Sequence, residues 1–278
     1  MDIGDDSSLL PIAHALGSAS ATTFRGPDIA GSHQFALPPG FGLLYQPDGG
    51  TSWAARSSKV FIELASRDGA EIKATTPVES IALEGDSVSV AAGGLAYSAG
   101  SVVVAAAGWS NKLLARLGLS LPLRVTREHV AYYVNRSGID FLPFIWHPGD
   151  GMPETYGLPN LADETVKVGR HIAGHLVEPG SEGIVQPEEI QLINDFVRRH
   201  LPLLDPVPVR AETCLYASSP DDDFILDRVG SIVIGAGFGG HGFKFAPVVG
   251  EILADLAEGK PVEMDPRFSL ARFGAVHA

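Results

Sequence analysis

The stretch "TVKVGRHI", residues 165–172, alternates side chains that pack with side chains that react. On an extended strand successive side chains point to opposite faces. Val166 and Val168 then share one face, and Lys167, Gly169 and His171 share the other. A lysine and a histidine with a glycine between them leave room for a ligand beside a cation and a titratable ring. The exposed polar face of an edge strand has the same pattern, and alternation alone does not choose between the two. "ETCLYAS" places Cys214, the only cysteine of the chain, on one face with Tyr216. A lone cysteine is usually a small core residue, and becomes a nucleophile where a basic environment lowers its pKa. Tyr156 precedes a turn in "ETYGLPN", where packing is the ordinary role. His171 and His175 are four apart, but on a strand followed by Gly174 they do not form a helical metal pair, so no metal is expected.

"VIGAGFGGHGFKFAPVVGEILADLAEG" spells GxGxxG at Gly235, Gly237 and Gly240. A dinucleotide fingerprint needs a second strand with an acidic residue about 20 positions on. Asp255 and Glu258 fall near that distance but lie inside a helical pattern, and no apolar strand follows Gly259. The Rossmann reading of this turn therefore fails. What remains is a glycine turn before a helix. Free amides at a helix start favour anionic ligand atoms, and glycines allow close approach to the backbone. His241 and Lys244 share the turn. A tight strand-to-helix connection with a solvated lysine is the other reading.

The elements that must position these residues are mixed. Residues 24–50 are rich in Gly, Pro and Ser and read as loops, and Trp53 to Asp68 carries Val60, Phe61, Leu64 and Ala65 at helical spacing. "EIKATT", "VESIAL" and "SVSVAA" read as short strands, and "SVVVAAAGWSNKLLARLG" as an apolar strand, a turn and a helix. From Arg124 the pattern turns alternating and aromatic-rich, as in antiparallel sheet, interrupted by a helix from Pro187 to Leu201. "SIVIGAG" and a helix from about Ala246 to Glu258 close the series. The 278 residues are 45% hydrophobic, enough for a sizeable core, and the formal charge of −13 argues against a nucleic-acid partner. With one cysteine, no signal-like start and no long apolar run, a cytoplasmic protein without membrane association is expected.

Taken together, these stretches resemble the monomeric sarcosine oxidase and N-methyltryptophan oxidase family of flavoenzymes. "YGLPN" followed by "VKVGRH", then "CLYASSPDDDFILD", and above all "GAGFGGHGFKFAPVVGEILADLA" carry the likeness, which covers roughly Leu9 to Arg267. The resemblance implies a mixed α/β (α+β) fold with an incomplete FAD-binding Rossmann-like portion and an antiparallel-sheet substrate domain. It divides the chain into 1–123, part of the FAD-binding portion; 124–217, the substrate domain with one helix; and 218–278, a return to the FAD-binding portion. It implies FAD, attached through a thioether at Cys214. Lys167 would promote reaction with O2, His171, Tyr156 and Tyr216 would line the substrate cavity, and Lys244 would bind the substrate carboxylate. The turn containing Gly237, Gly239, Gly240, His241 and Gly242 would lie against the flavin, and Val78 and Gly108 would belong to the FAD-binding portion. The implied reaction takes a hydride from an N-alkyl amino acid to the flavin, hydrolyses the imine and returns hydrogen peroxide from O2. Arg170 stands where the family pattern has a tyrosine or similar residue, so the cavity is expected to differ.

Family members begin with a strand, a GxGxxG turn and a helix that this sequence lacks at its start. Three readings account for that: a fragment of a full enzyme, one subunit of a split enzyme whose partner chain supplies the dinucleotide-binding half, or a non-catalytic binding or scaffold remnant. The first two are preferred because the residues named above are present. Either predicts a large exposed apolar patch.

Overall fold

The structure, a computed structural model, describes residues 1–5, 7–9, 12, 22–24, 32–47, 49–85, 87–149, 151–160 and 162–274. Strands run in chain order as β1 (Asp2–Gly4), β2 (Thr22–Phe24), β3 (Gly42–Tyr45), β4 (Val78–Glu84), β5 (Ser87–Ala92), β6 (Leu95–Ala99), β7 (Val102–Val104), β8 (Arg124–Val134), β9 (Phe144–Trp146), β10 (Thr155–Pro159), β11 (Thr165–Arg170), β12 (His175–Leu176), β13 (Arg210–Ser218), β14 (Ile225–Val229) and β15 (Ile232–Ala236). Helices include α1 (Ala54–Arg67), α2 (Ser110–Leu114), α3 (Pro187–His200) and α4 (Ala246–Glu258). The chain forms two compact units, each assembled from separate segments. Met1–Thr51, Thr126–His175 and Gly180–Cys214 make the first, and Ser52–Val125, Leu176–Pro179 and Leu215–Ala278 the second.

The first unit is built on a sheet of order β12-β8-β11-β10-β9-β1-β3-β2, with β13 also paired to β8. Alternation gives it one apolar face. Ala131, Tyr133, Val166, Val168, Phe144 and Trp146 pack there against Ile190, Ile193 and Val197 of α3. Each large apolar side chain so buried is worth about 1.5–3 kcal/mol. Tyr133 keeps its hydroxyl satisfied by donating to Asn194 at 2.7 Å. The helix starts at Pro187, carries Glu188 and Glu189 in its first turn and Arg198, Arg199 and His200 in its last, an arrangement that complements its dipole.

Two sequence expectations are corrected here. The loop reading of 24–50 misses β3, whose Leu43 and Leu44 are buried. Its four residues pair with β1 and β2 across long sequence separations, a signal that local composition hides. For the same reason residues 1–51, placed on sequence with the cofactor portion 1–123, join the sheet of the first unit: β1 pairs with both β3 and β9.

The second unit holds two three-stranded sheets, β14-β15-β7 and β4-β5-β6. β15 runs parallel to β7 and antiparallel to β14. Both faces of β15 are covered: Ile232 and Ile234 pack with Val104 and Leu114, and Val233 packs with Val249 and Leu253 of α4. That is why its sequence is continuously apolar. "EIKATT" is not a strand. Thr75 there has φ +52°, and the third strand of the small sheet is β6, reached through Gly93 and Gly94, both with positive φ, in a two-residue hairpin. The apolar spacing of α1 does form a helix, yet none of its residues is buried, and Val60, Phe61, Ile62 and Leu64 are each more than 40% exposed.

Candidate functional site

In the first unit, Tyr156 on β10 stands opposite Gly169 on β11, and Gly169 stands opposite Val130 on β8. Lys167 stands between Leu158 and Tyr132. Residues directly opposed across a ladder share a face, so this set lies on the face away from α3. The Tyr156 ring folds over Gly169, where an added Cβ would come within 2.9 Å of its oxygen. The ring also sits 5.9 Å from the Lys167 ammonium, within cation–π range. Cys214, half-buried on β13, is within electrostatic reach of that ammonium. Burial pushes the thiol pKa up, Lys167 pulls it down, and Glu128 and Glu212 push it up again, leaving it raised. The thiol is thus held protonated near neutral pH and is not activated as a free nucleophile. The structure therefore brings Tyr156, Lys167 and Cys214 together.

His171 follows β11 directly, and its backbone N–H donates to the Glu154 carbonyl at 2.7 Å. Its charge helps hold the Glu154 carboxyl below the ordinary range, after the larger effect of the hydrogen bond from His147. His147 is a residue that sequence inspection missed. Its ring nitrogens reach Glu154 at 2.7 Å and Asp2 at 3.1 Å, and Gln46 donates to the second oxygen of Asp2 at 3.3 Å. No local pattern could find it, because Asp2 is 145 positions away.

Burial opposes the charge on His147, but hydrogen bonds to Asp2 and Glu154, with their negative charges, more than offset this and raise its pKa to about 9. A histidine whose folded pKa exceeds its unfolded value stabilises fully below the unfolded value, 6.5, and loses that contribution as pH rises through about 9. The melting temperature is expected to fall between pH 6.5 and 9.5, and His147→Gln should flatten this slope. Equal slopes for the two proteins would mean the ring is not charged in the fold.

In the second unit, the glycine turn links β15 to α4. Gly237 and Gly239 take positive φ, 71° and 52°, which side chains disfavour. Gly240 lies under the buried ring of Tyr216, where an added Cβ would stand 2.0 Å from Cζ. Gly235 lets α4 approach, since a Cβ there would meet Leu253 at 2.7 Å. A 3-10 turn, Gly242–Phe245, follows the glycines, and α4 begins at Ala246, where its sequence pattern places it. Lys244 sits exposed on that turn, 5.7 Å from the Phe245 ring. The His241 ring lies 5.4 Å from Phe224. Tyr216, Gly237, Gly239, Gly240, His241, Gly242 and Lys244 are thus one local group. Val78 is elsewhere, exposed at the start of β4. Gly108 is buried in the 3-10 turn Ala107–Trp109, 3.2 Å from Val125 by the same Cβ measure. Among the described residues no group of three or more His, Cys, Asp or Glu could hold a metal ion, and no helix is long and apolar enough to cross a membrane.

Residues 24–256 match the family of FAD-dependent oxidoreductases known as DAO. The chain belongs to that family. It is 30% identical to a monomeric sarcosine oxidase of Bacillus sp. (strain B-0618), over 80% of this chain and 59% of the relative. It is 35% identical to the peroxisomal sarcosine oxidase of Homo sapiens, over 85% of this chain and 63% of the relative. N-methyl-L-tryptophan oxidase of Yersinia pestis (strain Pestoides F) is 30% identical, over 86% of this chain and 66% of the relative. The chain thus spans about three-fifths of the length of the first two DAO relatives. Among solved structures, NikD, an amino acid oxidase of nikkomycin biosynthesis, aligns at TM-score 0.84 and 26% identity, over 96% of this chain and 75% of that one. Glycine oxidase from Geobacillus kaustophilus, at 18% identity and TM-score 0.73, shares the DAO fold.

Proposed function

We propose that this chain serves an FAD-dependent oxidase of secondary, N-alkyl amino acids such as sarcosine, with imine or aldehyde and hydrogen peroxide as products. The observation that carries this reading is the grouping of Cys214, Lys167 and Tyr156 on one face of the first unit's sheet. A flavin fits such a face: a half-buried thiol offers an attachment atom, an ammonium stands beside it, and an aromatic ring flanks both. Bound FAD would supply the hydride acceptor and the route for electrons to O2.

The chain's own residues do the rest. Cys214 holds the cofactor in place through its sulfur. Lys167 presents a fixed cation where negative charge develops on oxygen. Tyr156 and His171 wall the substrate, and Tyr216 braces the glycine turn. Lys244, exposed on its 3-10 turn, offers a charge to the substrate carboxylate. Val78 and Gly108, with Gly237, Gly239, Gly240, His241 and Gly242, contribute backbone to the cofactor portion.

The reading requires a dinucleotide-binding half, carried in the same polypeptide or by a partner chain. The uncovered apolar residues of α1, Val60, Phe61 and Leu64, support a surface made to be covered. A single cysteine fits a reducing compartment such as the cytoplasm.

The test is spectroscopic. The chain produced together with that half should retain a flavin absorbance band in the protein pellet after acid denaturation, and Cys214→Ala should release the colour to the supernatant. A colourless pellet from the unsubstituted chain would remove the covalent assignment, and no flavin in either fraction would remove the oxidase reading.

A further inference from the structure

We infer that Glu128 is a positioning residue for His171. Its carboxylate clamps the turn that follows β11 and so sets where the imidazole is presented. The inference rests on His171 belonging to the substrate cavity, as proposed above.

The ladder between β11 and β8 ends at Gly169 opposite Val130. Two residues further along each strand, alternation would place His171 opposite Glu128. The ladder does not continue there. Instead the chain turns at Ile172, whose φ of +52° is unfavourable for a β-branched residue. Something must hold that conformation. Glu128 is 1% exposed. One carboxylate oxygen accepts the backbone N–H groups of Ala173 and Gly174, at 3.1 and 2.9 Å. The other accepts the Thr126 hydroxyl at 2.5 Å. One buried side chain thus satisfies two successive backbone amides of the turn.

The turn is also pressed against β8. A Cβ on Gly174 would stand 2.1 Å from the Arg127 carbonyl oxygen and 2.8 Å from Glu128 Oε1. The backbone therefore cannot move toward β8, and the carboxylate prevents its moving away. His171 is two residues before the first clamped amide, with its own N–H held by Glu154. The imidazole is thus carried on a segment fixed at both ends.

A glutamine could keep the geometry, since its oxygen can accept both amides while its NH2 donates to Thr126. Alanine cannot. The experiment is residue-resolved hydrogen exchange on the full chain, with NMR of the His171 ring. Val168→Ala, which truncates a core residue of the same unit, controls for general loss of stability. In Glu128→Ala, the amides of Ala173 and Gly174 should exchange about tenfold faster or more, beyond the change in Val168→Ala, and the His171 signals should shift. Glu128→Gln should stay within about threefold of the original protein and leave those signals in place. Exchange in Glu128→Ala equal to that of the control, or unmoved His171 signals, would overturn the inference. If Glu128→Ala does not fold, Thr126→Val frees one carboxylate oxygen and should give an intermediate loss of protection. No change in that variant would count against the clamp.

The underlying reading is judged separately. His171→Ala in the flavin-loaded protein should raise KM for sarcosine. An unchanged KM would remove His171 from the cavity, while the exchange data would still decide whether Glu128 fixes the turn.

Discussion

Lys167→Met is expected to slow the reaction of the reduced enzyme with O2 by about 100-fold or more, with a much smaller effect on substrate oxidation. The reason lies in placement. Lys167 stands on the sheet face away from the core, beside the Tyr156 ring and within electrostatic reach of Cys214. Electron transfer to O2 develops negative charge, and a cation fixed beforehand stabilises that charge without reorganising at the moment of reaction. Removing one such preorganised group commonly costs 100- to 1,000-fold, or about 3–4 kcal/mol. Methionine keeps an unbranched apolar stem, so packing against Tyr156 survives while the charge does not. Stopped-flow mixing of reduced enzyme with oxygenated buffer measures the first rate, and anaerobic reduction by sarcosine measures the second. Equal slowing of both would make Lys167 a general structural residue. No slowing of either would remove it from the oxygen chemistry.

The largest stability effect near the candidate site is expected from Gly240→Ala. An ideal Cβ there would stand 2.0 Å from Cζ and 2.3 Å from the hydroxyl oxygen of Tyr216, a ring only 6% exposed. Neither group has room to yield, because the turn is fixed by the positive φ values of Gly237 and Gly239. Overpacking of this kind costs about 1–3 kcal/mol and sometimes more. For a chain of this size that lowers the melting temperature by roughly 3–10 °C. Tyr216→Leu removes the offending atoms. Gly240→Ala combined with Tyr216→Leu should therefore cost less than the sum of the two single substitutions, by about 0.5–3 kcal/mol. Strict additivity would mean that ring and turn do not touch. Because the ring braces the turn that also carries Lys244, the residue proposed above to meet the substrate carboxylate, Gly240→Ala should on that proposal raise KM for sarcosine even where the protein still folds.

Sequence patterns revealed the elements whose signal is local. β8, β11, α3, β15 and α4 carry sustained alternation, helical spacing or continuous apolar runs, and each lies where those patterns place it. Elements held by distant partners were not legible. β1 and β3 are short and have no period of their own, and they exist as strands because they pair with one another, β1 also with β9 and β3 also with β2. β10 looked like the approach to a turn, but it is a strand between β9 and β11. "EIKATT" had strand-like composition without a strand neighbour, while "LAYSA" became β6 because two left-handed glycines fold it back onto β5.

The candidate residues divide in the same way. Alternation placed Lys167 and Gly169 on one face, and the structure adds what alternation could not, the Tyr156 ring lying across Gly169. The glycine motif was informative for a different reason from the one its spelling suggests. Its glycines answer to Leu253, Tyr216 and a backbone turn. His147 and Glu128 had no local signature, since His147 depends on Asp2, 145 positions away, and Glu128 on the amides of Ala173 and Gly174, 45 and 46 positions away.

Both units are discontinuous in sequence, and β13 begins in one and finishes in the other. During synthesis the amino-terminal strand β1 must wait for β9, more than 140 residues later, before that edge can pair. The last strand of the large sheet waits for residues 210–218, and the parallel partner of β7 waits for β15. No nascent stretch shorter than most of the chain contains a finished unit. Such a layout favours slow, late closure of the fold and a long interval with apolar strands uncovered. It also means that neither unit can be excised by choosing one start and one stop: a soluble piece would have to be rewired by circular permutation or joined by new loops.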